Sequence, residues 1–459
     1  MAPVELFFDR GTLLLKNLPT VLQKTFSQLK WDERVLSYRA PANNYYEMAL
    51  YFHKEGIPFL DNAKEFEPTS FDLSQKITPR NYQQEALDHW IQSGKRGVVT
   101  LPTGAGKTML AMLCISKTSR PTLVHVPTID LMQQWHGLLE QFFGMRVGRV
   151  GGGYKEWEQL TVSTYDSALL QVEYYGNQYG LLIFDECHHL PGDQFQYAAL
   201  ASIAPFRLGL TATPERSDGK ETLLYEICGP LVYQVHIDEL EGLTLAPYRV
   251  QTIEIELTTS ELEEYQKLRN IFLNFIRRER IRFDEPNGWQ NFLFKSGRSI
   301  DGREAFQAYL AQKKLSQASW TKLQKIWQLL TQHIDDRVIL FTQDNEMAYK
   351  IGREFLLPVL THHTRSTERD QLLNKFREGV YPTLVTSKVL NEGVDVPEAN
   401  VAVVVSGSGS TREHVQRLGR ILRARPNKEA ILYELVSKGT AELYVNQRRR
   451  QHRAYDRYR

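Results

Sequence analysis

Hydrophobic positions along this chain change period in a repeating way. Between residue 97 and about 245, short apolar, β-branched runs at 97–101, 122–126, 161–164, 181–184 and 207–210 are separated by helix-compatible stretches. That alternation predicts a parallel sheet covered on both faces, with ligands beyond the carboxyl ends of its strands. A second α/β pattern begins near Trp320, with strands expected at 338–341, 383–387, 401–405 and 430–436. Between the two, a strand-like stretch at 248–257 leads into a helical hairpin-like region running to about Leu315, with Ser260 and Glu263 as its capping box. There Leu262, Tyr265, Leu268, Phe272 and Phe275 form one apolar stripe. The first 74 residues read as a small mixed α/β domain: apolar runs at 4–8 and 13–18, a turn at 30–34, and a helix over 43–54. Burial statistics favour a core role for its aromatics over base stacking.

Polar residues gather where the strands end. Leu101 to Thr108 reads LPTGAGKT, a Gly-rich turn between a strand and a helix. Such a turn aims several backbone N–H groups at one place, and the helix terminus adds partial positive charge. Thr103, Gly104, Ala105 and Gly106 would cradle phosphates, Lys107 would meet the terminal ones, and Thr108 would offer a hydroxyl to Mg²⁺. Leu101 stands where the usual pattern opens with glycine. After the fourth strand come Asp185 and Glu186. Asp185 suits Mg²⁺ through its waters, and Glu186 suits orienting or deprotonating the attacking water. An acidic helix cap is the alternative. Arg80 and Gln83, upstream, can face an adenine, since an amide both donates and accepts. Cys187, His188 and His189 are too near one another along the chain to chelate one ion readily. His188 is expected to bond toward Thr211–Thr213.

Composition bounds the rest. The chain has 459 residues with a formal net charge of +2, so its overall charge selects no partner. The length suits roughly three domains. Three scattered cysteines without a CxxC pair suggest a reducing, cytoplasmic setting, and no run is long or apolar enough to suggest a membrane partner. Charge is patterned locally. Arg277, Arg278 and Arg280 interleave with Phe272, Phe275 and Phe283, which suits a nucleic-acid strand or the charged face of an amphipathic hairpin. The tail from Arg448 to Arg459 is basic and suits nucleic acid or a solvated helix equally. Arg417, Arg420 and Arg423 share one helix face, as a salt-bridge face or as arginines that stabilise a phosphoryl transfer.

Taken in order, Arg80/Gln83, the phosphate loop, Pro127-Thr128 with Gln134-Trp135, Asp-Glu-Cys-His, Thr-Ala-Thr and Gln-Arg-Leu-Gly-Arg-Ile-Leu-Arg resemble a superfamily 2 helicase over residues 78 to about 437. The box around Arg420, the segment from Ser387 to Asn400, residues 435–442, and the N-terminal Trp31-Asp32-x-Arg34 with 38–42 resemble the XPB family, specifically its archaeal and bacterial members. The resemblance implies an α/β protein with two tandem RecA-like parallel-sheet domains, a small N-terminal α+β domain and a helical thumb-like insertion. The domains would be a damage-recognition-like domain at 1–74, an ATP-binding domain at 75–248, a linking strand and thumb at 249–318, and a second RecA-like domain with a basic tail at 319–459. It implies ATP and Mg²⁺ as cofactors, with Lys107, Asp185, Glu186, Arg420 and Arg423 catalytic, Asp395 on the ribose, and Thr108 and Asp185 on the metal. DNA, single-stranded, duplex or forked, would meet Thr128, Thr164, Arg216, Asp218 and Ser387. A companion nuclease, 3'-5' polarity and a prokaryotic, nucleoid-associated setting are further implications. The family's Arg-Glu-Asp motif is here Arg216-Ser217-Asp218. The lost carboxylate leaves open a duplex translocase or a nuclease's motor subunit that does not separate strands. A non-catalytic nucleic-acid scaffold is disfavoured by the intact catalytic residues.

Overall fold

A computed structural model describes residues 2–75, 77–192, 194–214, 219–240, 247–285, 287–387, 399–406 and 430–449. Arg216, Asp218, Asp395, Arg420 and Arg423 lie outside the described residues, as does the tail from residue 450. The described residues fall into two compact units, one ending at Leu240 and one formed by the chain beyond it. No helix among them is long and apolar enough to cross a membrane.

The first unit begins with a five-stranded sheet: β1 (Val4–Asp9), β2 (Thr12–Lys16), β3 (Lys30–Asp32), β4 (Ser37–Pro41) and β5 (Phe59–Asn62), in the order β3-β4-β2-β1-β5. Arg10 and Gly11 both have positive φ (45° and 81°), the geometry that lets a two-residue turn follow the twist of its strands. Leu6, Leu13 and Leu15 alternate inward and pack on Met48 and Phe52 of the helix Tyr45–Lys54. Of the segment expected as a turn at 30–34, residues 30–32 are strand β3 and the turn itself starts at Glu33. The charges there form an ion cluster: the nearly buried Asp32 accepts from the exposed Arg34 (2.8 Å) and from Arg39 (3.0 Å).

A second sheet follows in the same unit, in the order β13-β6-β12-β11-β7-β10-β8-β9. Its strands are β6 (Arg96–Thr100), β7 (Thr122–Val126), β8 (Gly148–Gly151), β9 (Tyr154–Glu156), β10 (Leu160–Thr164), β11 (Leu181–Asp185), β12 (Phe206–Thr211) and β13 (Leu231–Gln234). Five of these are the strands expected from the apolar runs. β7, β10 and β11 are buried at every position, which is why they read as continuous apolar runs rather than alternations. β8, β9 and β13 are short, glycine-bearing or half-exposed, and gave no comparable signal. β9 pairs antiparallel with β8, so the sheet is mixed at that edge, not wholly parallel.

The second unit holds a six-stranded parallel sheet in the order β14-β19-β18-β15-β17-β16: β14 (Tyr248–Ile255), β15 (Val338–Phe341), β16 (Val359–Leu360), β17 (Thr383–Thr386), β18 (Val401–Val404) and β19 (Ala430–Ser437). The stretch expected as a linking strand is β14, in register with β19 from Tyr248–Ala430 to Ile255–Ser437. It is the edge of this sheet rather than part of a separate insertion. The expected hairpin is three helices, Thr259–Arg278, Gly288–Ser296 and Ile300–Gln317, around Phe272, Phe275, Phe292 and Ala305. The first helix starts two residues earlier than its expected capping box. Thr258 Oγ1 accepts from Glu261 N, and Glu261 Oε2 accepts from Thr258 N.

Candidate active site

The site is built where β6, β11 and β12 end. Leu101 N donates to Thr211 O at 3.0 Å, which ties the start of the phosphate loop to the end of β12. Gly104 and Gly106 have φ of 85° and 81°, a left-handed conformation that side chains resist. At Gly106 a Cβ would also sit 2.5 Å from Gln83 Nε2. Helix Lys107–Thr118 then begins with Gly106 as its N-cap and no side-chain cap, so its first N–H groups are left for a ligand. Lys107 Nζ donates to Leu101 O at 3.3 Å and stands 4.0 Å from Glu186 Oε1. Thr108 is half-buried in the first turn.

The Arg80/Gln83 pair is engaged with the phosphate loop. Gln83 Oε1 accepts from Arg80 N at 3.0 Å, closing a cap on helix Asn81–Gln92. Gln83 Nε2 donates to Ala105 O (3.1 Å) and Gly106 O (3.2 Å). Tyr82 OH donates to Ala105 O at 2.8 Å and accepts from Arg80 Nη1 at 3.1 Å. In this structure the amide that sequence reasoning aimed at a base therefore holds the phosphate loop. Tyr82, which sequence reasoning gave no role, shares the task.

Asp185 closes β11 and is buried. Its Oδ2 accepts from Trp135 Nε1 at 2.8 Å, its Oδ1 from Glu186 N at 3.0 Å, and its backbone O from Tyr165 OH at 3.0 Å. Burial, then the neighbouring Glu186 charge, push its carboxyl up to about 6; Lys107 and the indole N–H pull the other way. Glu186 sits at φ 49°, a strained conformation for a non-glycine residue. That turn carries the second carboxylate toward Lys107. His188 Nδ1 lies 3.0 Å from Thr211 Oγ1, as expected. Because the Thr211 hydroxyl donates to Thr213 O, Nδ1 is the donor.

The residues present fit a nucleotide with Mg²⁺. Thr103 Oγ1 is buried beside the loop without a hydrogen-bond partner among the described residues, and Glu186 Oε2 faces only His188 Nδ1, at 3.4 Å. Among the described residues no cluster of three or more His, Cys, Asp or Glu is placed to hold a metal. Thr108 and Asp185 would be the residues to hold such a cation, as hard oxygen donors suited to Mg²⁺.

The described residues expected to meet DNA fall in both units. Thr128 and Thr164 are helix N-caps whose hydroxyls accept from Leu131 N (3.2 Å) and Ser167 N (3.3 Å). Ser387, just past β17, is buried. Arg277, Arg278 and Arg280 are exposed at the end of the first thumb helix. Arg278 is already paired with Asp301 at 2.7 Å, while Arg280 has φ 52°. Trp135 and Tyr165 are the site residues for which sequence reasoning had no task. Trp135 was visible only as part of the Gln134-Trp135 pair in the motif order, and Tyr165 only as an aromatic with a polar tip directly behind β10.

This fold and site define a nucleotide-dependent motor of the helicase superfamily 2 type. A family description for the type III restriction enzyme res subunit matches residues 76–216. Descriptions for the ERCC3/RAD25/XPB C-terminal helicase and for the xeroderma pigmentosum group B helicase damage recognition domain match 304–458 and 6–63. A protein of Sulfurisphaera tokodaii named DNA 3'-5' translocase XPB2 is 39% identical over 423 residues, covering 92% of this chain and 96% of its own length. DNA 3'-5' helicase XPB of Mycobacterium tuberculosis is 30% identical over 79% of this chain, which spans 61% of that protein. The crystal structure of the Pyrococcus furiosus Hef helicase domain shares the fold, with a TM-score of 0.55 at 18% identity, covering 80% of this chain and 97% of that domain. The chain belongs to the XPB family of helicases.

Proposed function

We propose that this chain is an ATP-dependent DNA translocase and helicase acting in DNA repair, with the 3'-5' polarity named for its relatives. Its two units would each carry one RecA-like domain. The observation that carries the reading is the meeting of Lys107, Asp185 and Glu186 at the mouth of the phosphate loop, 4.0 Å separating Lys107 Nζ from Glu186 Oε1. Lys107 would leave Glu186 and Leu101 O for the terminal phosphates of ATP. Glu186 would then be free to orient the attacking water and take its proton. Asp185, held from both sides by Trp135 and the Glu186 N–H, would stay oriented with Thr108 toward the metal. Mg²⁺, when bound, supplies charge neutralisation to the phosphates. Arg420 and Arg423 would add charge to the transferring phosphoryl group, and Asp395 would bond the ribose. Thr128 and Thr164 cap helices whose first N–H groups suit strand phosphates. Arg216, Asp218 and Ser387 would extend that track, and a nuclease would be the natural partner of such a motor in repair.

Ser217, in place of the family's middle carboxylate, favours a second reading in which duplex DNA is tracked without being opened. The test follows ATP hydrolysis together with opening of a forked DNA and displacement of a triplex strand. DNA-stimulated hydrolysis with fork opening supports the helicase. Triplex displacement over a closed fork supports the translocase. Wild-type ATP turnover in Lys107→Ala would remove the site assignment.

A further inference from the structure

A cavity of about 300 Å³ lies inside the second unit, where the thumb helices Thr259–Arg278 and Ile300–Gln317 meet the carboxyl ends of β15, β18 and β19. We infer that this cavity receives one nucleotide of a single DNA strand, with its phosphate between Arg269 and Lys313 and its base against Tyr309 and Phe272.

Four observations carry this. The volume is at the lower end of that of ligand pockets, which suits one nucleotide unit rather than a peptide helix. Arg269 and Lys313 line the cavity from facing helices, and neither has a salt bridge among the described residues. Arg269 is steadied by the Tyr265 hydroxyl at 3.3 Å, which Ala441 N also contacts at 2.9 Å. The one carboxylate in the lining, Glu442, is already neutralised by Lys322 Nζ (2.8 Å) and Ser437 N (2.9 Å), so it does not repel a phosphate.

The apolar wall is aromatic. Tyr309 and Phe272 are 5.2 Å apart between centroids with their planes tilted by 38°, and Tyr309 remains half-buried. A ring partly open to a polar cavity offers a base a face to stack on. The polar wall has unspent hydrogen-bonding capacity: Gln312 is buried in the lining and its Oε1 has no partner. Gln343 is fixed beside it, with its N donating to Ser406 Oγ at 3.0 Å and its Oε1 accepting from Gln317 at 2.6 Å. Paired cations, an aromatic face and amides in one cavity match the phosphate, base and base edge of a nucleotide.

The inference rests on the DNA-motor reading and is tested apart from it. Fluorescence anisotropy with a labelled 20-nucleotide oligothymidine, and with its abasic counterpart, is measured over a salt series on the full chain. Arg269→Gln and Lys313→Gln should each lower the slope of log affinity against log salt by about 0.7, the value for one single-strand phosphate. Tyr309→Leu should weaken the oligothymidine roughly tenfold while leaving the abasic strand unchanged, as loss of one stacked base would. DNA-independent ATP turnover should hold in all three. Wild-type affinity and slope in every variant, with the unaltered protein binding DNA, would overturn the inference and leave the cavity to a protein ligand. Failure of the unaltered protein to bind DNA would instead overturn the motor reading. Should Tyr309→Leu melt early by circular dichroism, the half-buried Lys313 decides the question alone.

Discussion

Trp135 donates its indole N–H to Asp185 Oδ2 across 2.8 Å, and both side chains are buried. A hydrogen bond to a charged group is worth about 1.5–3 kcal/mol, and here it also fixes which way the carboxylate faces. Trp135→Phe keeps a ring in place and removes the donor. Turnover of ATP should fall roughly tenfold, and the Mg²⁺ concentration for half-maximal rate should rise. A Mg²⁺ titration checks this; an unchanged midpoint would reduce Trp135 to packing.

Gln83 clamps the phosphate loop from outside through Ala105 O and Gly106 O. Two roles are thereby separable. If Gln83 only holds the loop, Gln83→Ala should weaken ATP and GTP alike. If the amide also turns to the base, the preference for ATP over GTP should shrink in the variant. Steady-state kinetics with both nucleotides distinguish them. Loss of the cap should also cost about 1 kcal/mol of stability in either case.

How far the site was legible follows from range. Lys107, Thr108, Asp185 and Glu186 declare themselves because each acts within a few residues of a strand end, where a loop must carry the chemistry. Trp135 and Asp185 are 50 residues apart, and Leu101 meets Thr211 across more than twice that separation, so neither contact leaves a mark in local pattern. β14 was visible as a strand, but its partner β19 lies far along the chain, and a one-sided edge strand looks the same in any sheet. Gln83 was singled out by its spacing from Arg80 just upstream of the loop. Its engagement with the loop depends on the loop's carbonyls turning toward it, which Gly104 and Gly106 permit and no spacing rule encodes.

His125, on β7, is buried beside two aromatic rings, 4.9 Å from Phe184 and 6.0 Å from Tyr165, and neither ring nitrogen has a hydrogen-bond partner among the described residues. Burial, followed by the charge of Arg207, pushes its pKa down to about 3. The unfolded chain therefore binds a proton near pH 6.5 that the folded one refuses. Stability from this group is complete above about pH 6.5 and drains away as pH falls toward 3, at up to about 1.4 kcal/mol per pH unit. Chemical unfolding at pH 7.5 and 5.5 should show that slope, and His125→Phe should flatten it whatever its stability at neutral pH.

Arg207 is fully buried and has no carboxylate among its hydrogen-bond partners. Its guanidinium donates to Ala199 O and Ser202 O (both 3.0 Å), Ile227 O (3.1 Å) and Ala204 O (3.4 Å). These carbonyls end two short helical segments and a turn, and one planar fork serves all four. Arg207→Met would fill much of the volume yet leave three acceptors unpaired, Ile227 O keeping only Arg96 Nη2 at 3.4 Å, and should cost about 3–5 kcal/mol. Arg207→Lys should recover only part, since an ammonium has three donors at one point. Urea unfolding of both variants gives the comparison, and a loss below about 1 kcal/mol in Arg207→Met would mean that water replaces the fork.

The thumb arginines should not contribute equally to DNA binding. Arg278 is paired with Asp301 at 2.7 Å and stacks over Phe275 at 5.5 Å, so its charge is already compensated. Arg277 and Arg280 are exposed and have no such pair among the described residues. On duplex DNA each phosphate contact removed lowers the salt slope by about 0.9. Arg277→Gln and Arg280→Gln should each show that drop, and Arg278→Gln a smaller one, because breaking its pair exposes Asp301 while removing little free charge. Asp301→Asn should then strengthen binding by releasing Arg278. Equal losses from all three arginines would mean that DNA displaces Asp301 from its partner.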